Sequence, residues 1–181
     1  MPRIAPLTDL PQDIEEALTS MMPKGVPPLG LFQTLAKNPR ILEKLRQSNM
    51  LDRGTLRLRE RELIIDRITA LSGARYELGV HIAFFAEKID LSPEQIHSIV
   101  SGASSDDCWS EAEKSILKMC EELHATSSVS DETYTSLSKF WDESQVIEAV
   151  AVAGYYKMIS FLVNVIEPDP EPFAADLLPS G

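Results

Sequence analysis

The sequence predicts an all-α protein, a single-domain helical bundle. Apolar residues recur at three- and four-residue spacing in segment after segment, helix-start signals precede several of those segments, and no alternating strand pattern of useful length interrupts them. The chain of 181 residues, 44% of them hydrophobic, can bury one substantial core and leaves little room for a second domain. Its formal net charge of −11 argues against nucleic acid and against anionic membranes, since both demand a surplus of Lys and Arg. The opening MPRIAPLTDLPQDIEE has no apolar run of signal-peptide length, so a cytoplasmic location is expected. Cys108 and Cys120 fit neither a disulfide framework nor a C-x-x-C redox or zinc pattern. They read as reduced thiols, with Cys120 in the core.

The elements follow in order. A first helix is expected at about Gln12 to Met22, inside an N-terminal arm, residues 1–28, that is rich in proline. Asn38-Pro39 is a start signal, because Asn caps exposed amides and Pro is pre-set for the first turn, so a helix should run from about Pro39 to Met50. Leu58, Leu63, Ile64, Ile65, Ile68 and Leu71 form the next stripe, which ends at Gly73. The pattern then resumes through Arg75 and His81 toward Phe85. Ser92-Pro93-Glu94-Gln95 and Ser110-Glu111-Ala112-Glu113 both match the capping box, and Ser130-Asp131 opens a short helix through Tyr134, Leu137 and Trp141. The last helix, Gln145 to Ile166, is apolar on almost every side. Glu148, Lys157 and Asn164 interrupt it, so it reads as a central or inter-subunit helix rather than a membrane span. Residues 167–181 form a second Pro-rich arm, and both arms are expected to wrap the surface or a neighbouring subunit.

The candidate chemistry lies between Glu62 and His81. Glu77 and His81 are four apart and share a helix face, with Leu78, Val80, Ile82, Phe84 and Phe85 around them. A histidine held in such a wall can be tuned as a proton donor or acceptor. On an arbitrary helix the same pair is a surface contact contributing about 0.2–0.5 kcal/mol, and Glu62 also fits a solvated charge run from Arg57. Arg67 stands in the apolar run Leu63 to Ile68, where a guanidinium needs a carboxylate: Glu62, Glu77 or a substrate's. Tyr76 either packs a helix crossing or offers a hydroxyl to a substrate. His97 and His124 lie in polar or helix-end surroundings and are assigned to the surface. No histidine spacing supports a metal site.

Three segments carry a family resemblance: Arg59-Glu60-Arg61-Glu62-Leu63-Ile64-Ile65, then Tyr76-Glu77 followed by His81, then Gly154-Tyr155-Tyr156-Lys157-Met158. In that order they resemble the carboxymuconolactone decarboxylase family, which includes the alkyl hydroperoxidase D-like proteins, over roughly residues 39–166. The resemblance implies an all-helical fold, a cytoplasmic location and a homo-oligomer, a trimer or hexamer. Peroxidase members place a C-x-x-C pair just before the histidine, and here those positions are Ala74 and Glu77. Peroxide reduction needs an attacking thiolate and a resolving thiol, so thiol peroxidase chemistry is not expected at that place. Glu62 matches the family's upstream glutamate and His81 its histidine, while Glu77 is what decarboxylase members carry in place of the second thiol.

What the resemblance implies is a cofactor-independent decarboxylase acting on a small carboxylated lactone or keto acid. The conjugated substrate is its own electron sink, so neither metal nor organic cofactor is expected. His81, Glu62 and Glu77 are then the catalytic candidates, by proton transfer and support of the ring, and Arg67 and Tyr76 the substrate-binding ones. Two alternatives stay open: an isomerase or dehydratase using the same Glu and His, and a non-catalytic oligomeric member of the fold.

Overall fold

The computed structural model describes residues 1–48 and 50–174. Among these residues the protein is built from nine α-helices and one 3-10 turn, with no strand. The helices are α1 Gln12–Met21, α2 Gly30–Leu35, α3 Pro39–Gln47, α4 Leu58–Leu71, α5 Arg75–Phe85, α6 Pro93–Ser101, α7 Glu111–Thr126, α8 Asp131–Leu137 and α9 Glu143–Ile166, with the turn at Glu87–Ile89. The central layer is α4, which packs on α5, α6, α7 and α9. Its residues from Glu62 to Thr69 are all buried, polar ones included.

Local chemistry sets the ends. Ser92, Ser110 and Asp142 each accept from the third helical residue's amide, whose own side chain reaches back to complete a capping box. Asn38 caps α3 through Ile41 N, with Pro39 at the first position. Gly73, at φ 67°, takes the left-handed conformation that turns the chain from α4 into α5. Three bounds differ from the sequence expectation. The third helix ends at Gln47 rather than near Met50. The eighth stops at Leu137, leaving Trp141 in a loop where its Nε1 donates to Glu60. The last begins at Glu143, two residues earlier than Gln145, because Asp142 caps it. The six-residue α2 was not expected at all.

Helix α9 is long and apolar enough to cross a membrane by length and composition. One of its faces packs in the bundle. Ala149, Val152, Ala153, Tyr156, Ile159, Ser160, Val163 and Ile166 are buried in the core. Its three polar interruptions latch the two ends of α4. The Glu148 carboxylate accepts from Thr55 N at 2.6 Å and from the Thr55 hydroxyl, just ahead of α4. Beyond its far end, Lys157 Nζ donates to Ser72 Oγ at 3.2 Å and Asn164 Nδ2 to Ser72 O at 2.7 Å. The opposite face of α9 exposes Ile147, Val150, Met158, Phe161 and Val165.

The two arms meet on the surface of their own chain. Arg3 N and Ile4 N donate to Ile166 O, and the Arg3 guanidinium pairs with Glu167 at 2.5 Å. The part of the C-terminal arm beyond residue 174 lies outside the described residues.

Candidate active site

Helix α4 presents Glu62 and Asp66 one turn apart toward α5, which presents Glu77 and His81 one turn apart in return. All four are buried. His81 Nδ1 donates to Glu62 Oε2 at 2.8 Å, and His81 Nε2 lies 3.5 Å from Glu77 Oε1. The other oxygen of Glu62 accepts from Arg61 Nε at 3.0 Å and Nη2 at 2.8 Å. The charged run of the sequence is therefore no solvated face at this point, and Glu62 is fully buried.

Burial alone would lower the His81 pKa, because it penalises the charged ring. The hydrogen bonds to Glu62 and then Glu77 outweigh it and raise the value from 6.5 to about 10. His81 is thus an imidazolium at neutral pH, held between two carboxylates. Asp66 responds the other way. Burial raises its pKa well above the ordinary carboxylate value, Glu62 adds to the rise, and His81 only partly opposes it. Its Oδ1 is buried with no hydrogen-bond partner among the described residues. Asp66 belongs to the site, and periodicity hid it inside an apolar stripe. The signal available was an acid at four-residue spacing from Glu62 in an otherwise apolar run.

Glu62, Asp66 and His81 bring ligand atoms within 4.8 Å of one another, close enough to hold a metal ion. Two of the three residues are already spent, however: both Glu62 oxygens and His81 Nδ1 satisfy each other and Arg61, leaving only Asp66 Oδ1 free among the described residues. An ion there would have to displace the His81 proton and break that pair, so the cluster fits a proton better than a metal.

His81 and Glu77 line a cavity of about 500 Å³. Its walls come from Met21, Met22 and Pro23 at the end of α1, Leu31 and Phe32 of α2, and Leu42, Leu45 and Arg46 of α3. Val80, Phe84 and Phe85 of α5, Lys88, and Tyr155, Tyr156 and Ile159 of α9 complete them. The His81 ring stacks on Phe85 at 5.5 Å between centroids and meets Tyr156 edge-on at 5.0 Å. Burial, then Glu77 and Glu62, push the Tyr156 phenol well above its usual pKa, so it stays a protonated donor. The Tyr155 hydroxyl is spent on Leu45 O at 3.2 Å.

Both of the expected substrate-binding residues, Arg67 and Tyr76, sit elsewhere. Arg67 pairs with neither Glu62 nor Glu77. Its Nη2 donates to Glu121 Oε1 at 2.6 Å and to Gly102 O at 2.9 Å, and its Nη1 to Ile99 O at 2.8 Å and Ser98 O at 3.3 Å. The guanidinium thus caps the free carbonyls at the end of α6 and ties that helix to α7. It is absent from the cavity lining. Tyr76 turns the other way as well. Its hydroxyl donates to Glu171 Oε1 at 2.5 Å and accepts from Leu31 N at 3.2 Å. Tyr76 therefore fastens the C-terminal arm and α2, a wall of the cavity, to α5. It lines a second cavity of about 570 Å³ beneath the C-terminal arm, apart from His81.

The remaining titratable candidates are settled by their surroundings. His97 is exposed, as expected. His124 is half-buried rather than on the open surface, with Nδ1 3.0 Å from Lys157 Nζ, and burial followed by Lys157 lowers its pKa. Cys120 is fully buried and burial pushes its thiol up, which makes it a core residue and a poor nucleophile. Cys108 is half-buried.

The profile of the carboxymuconolactone decarboxylase family matches residues 36–122, which contain Glu62, Asp66, Glu77 and His81. No curated protein matches the sequence. Among solved structures, an uncharacterized peroxidase-related protein from Ralstonia eutropha JMP134, with an alkylhydroperoxidase AhpD core, is similar at a TM-score of 0.79 and 18% identity, over 94% of this chain and 93% of that one. A peroxidase-related protein from Silicibacter sp. TM1040 gives 0.81 and 15%, over 96% and 95%. The debrominase Bmp8 gives 0.76 and 15%, over 97% and 95%. At such identities the likeness is one of fold. The stretch that matches the carboxymuconolactone decarboxylase profile thus carries the Glu62–His81 pair, in a bundle folded like the AhpD core, with Ala74 and Glu77 where a C-x-x-C pair would stand.

Proposed function

We propose that the protein is a cofactor-independent decarboxylase, a carboxy-lyase acting on a carboxylated lactone or keto acid, with His81 as the proton donor. The observation that carries this reading is a buried imidazole, braced by Glu62 and Glu77, in the wall of a mostly apolar cavity. As the carbon–carbon bond to the leaving carboxylate breaks, its electron pair passes through the conjugated system to the carbonyl, and carbon dioxide departs. The imidazolium stabilises the developing enolate and then gives its proton to carbon. An acid of pKa about 10 is strong enough for that transfer, since a carbon-bound enolate proton is far less acidic. Glu62 holds the ring in place, and solvent restores the proton. Tyr156, protonated and edge-on to His81, is a second donor for the carbonyl oxygen.

The sequence supports no peroxidase reaction at this place, because Ala74 and Glu77 are not thiols. With a candidate acid that is turned over, His81→Ala should lower kcat by about 10²–10⁴-fold and Glu62→Gln by less, with both variants folded. Equal kcat for wild type and His81→Ala would remove the role.

A further inference from the structure

The cavity is large for a compact lactone acid. At about 500 Å³ it lies in the range that encloses drug-sized ligands, and residues from α1, α2, α3, α5 and α9 surround it. Away from the Glu77 and His81 end, most of its lining is Met, Leu, Phe, Val and Ile. A small polar acid would leave most of that wall against water.

Charge is unevenly placed around the same space. Arg46, the cation from α3, is already paired with Glu43 at 3.0 Å. Lys88 is exposed at the rim, makes no ion pair among the described residues, and stands over the Phe85 ring, with Nζ 4.9 Å from the centroid. Phe85 in turn stacks on His81. A cation without a carboxylate partner, one aromatic ring away from the imidazolium, is suited to drawing an anion toward His81. Arg67, which the sequence suggested for this task, is spent on Glu121 and the end of α6.

We propose that the His81 cavity binds an amphipathic carboxylic acid, its carboxylate drawn in by Lys88 and its extended aliphatic or aromatic body lying against Met21, Leu31, Phe32 and Phe84. The proposal rests on the reading of this cavity as the active site and narrows its substrate class. The wall removes the acid's body from water, which supplies affinity, and Lys88 selects the acid over the matching neutral molecule.

The test is calorimetric binding to the full-length protein of decanoate, its neutral counterpart 1-decanol, and the compact acid butyrate. Decanoate should bind best and butyrate not measurably. Lys88→Gln, a change at an exposed position, should weaken decanoate about three- to fivefold and leave 1-decanol unchanged. Met21→Glu, which places a second negative charge in the cavity, should weaken decanoate further still. If Met21→Glu fails to fold, the Lys88→Gln comparison decides alone. Butyrate binding as tightly as decanoate would overturn the proposal, as would 1-decanol binding as well as decanoate to wild type. A protein that turns over carboxymuconolactone without binding decanoate would refute this substrate class and leave the decarboxylase reading intact. One that binds decanoate but releases carbon dioxide from no acid would do the reverse.

Discussion

His81 and Asp66 meet the same burial in opposite ways, and the contrast has consequences for stability. His81 has a folded pKa of about 10 against 6.5 when unfolded. Its contribution is therefore fully present below pH 6.5 and is lost as the pH rises toward 10. Asp66 has a folded pKa raised above 3.8. The folded state holds its proton longer, so its contribution is present below pH 3.8 and falls as the pH rises through the folded pKa. At neutral pH Asp66 is thus a cost. Asp66→Asn should raise the unfolding free energy at pH 7 by about 1–2 kcal/mol, with a smaller gain at pH 4, as read from urea denaturation at both values. An equal gain at both would mean that Asp66 is not desolvated. At this scale the sequence was half legible. The Glu77–His81 spacing announced a shared face. The burial of Glu62 could not be read from its charged neighbours, because it is Arg61 and a ring from another helix that take it out of water.

Helices α4 and α9 explain one another. The stripe from Leu58 to Leu71 and the glycine after it were plain in the sequence, as were the capping boxes, because they depend on residues within one turn. The partners of Arg67 were not, since Glu121 is 54 positions away and only the packing of α7 on α4 brings it near. For the same reason the role of Tyr76 lay beyond the sequence: it depends on Glu171, 95 positions on. Tyr76→Phe removes the hydroxyl that joins Glu171 to Leu31 N, so hydrogen exchange of amides in Gly30–Leu35 should accelerate while the rest of the bundle is unchanged. Unaltered exchange there would show that the strap carries no load. The exposed face of α9 makes a separate claim. Ile147, Ala151, Gly154, Met158, Phe161 and Val165 recur at alternating four- and three-residue steps, a seam fitted to another helix. Gly154 leaves room for close approach. We therefore propose a homo-oligomer joined through α9, and Phe161→Glu should convert it to monomer in light scattering coupled to size exclusion. A wild-type monomer would contradict this.

The whole molecule places a buried imidazole where a mostly apolar cavity meets the carboxylates of Glu62 and Glu77, and no thiol pair stands beside it. Composition and periodicity were enough for the all-helical bundle, because every long segment favours helix and no segment favours strand. They could not give the cavity, whose wall is assembled from five helices that meet only in three dimensions, including the short α2 that no signal announced. The central claim is that carbon is protonated from His81 after carboxylate loss, and not that a sulfur is oxidised. Carboxymuconolactone and a set of longer unsaturated lactone acids and keto acids, incubated in D2O with wild type, His81→Ala and Cys108→Ala/Cys120→Ala, test it most directly. The account predicts carbon dioxide release from at least one acid with a single deuterium delivered to the enolate carbon that takes the proton, retained in the cysteine-free protein and lowered about 10²–10⁴-fold in His81→Ala. Activity that survives in His81→Ala, or peroxide reduction that disappears with the two cysteines, would contradict it.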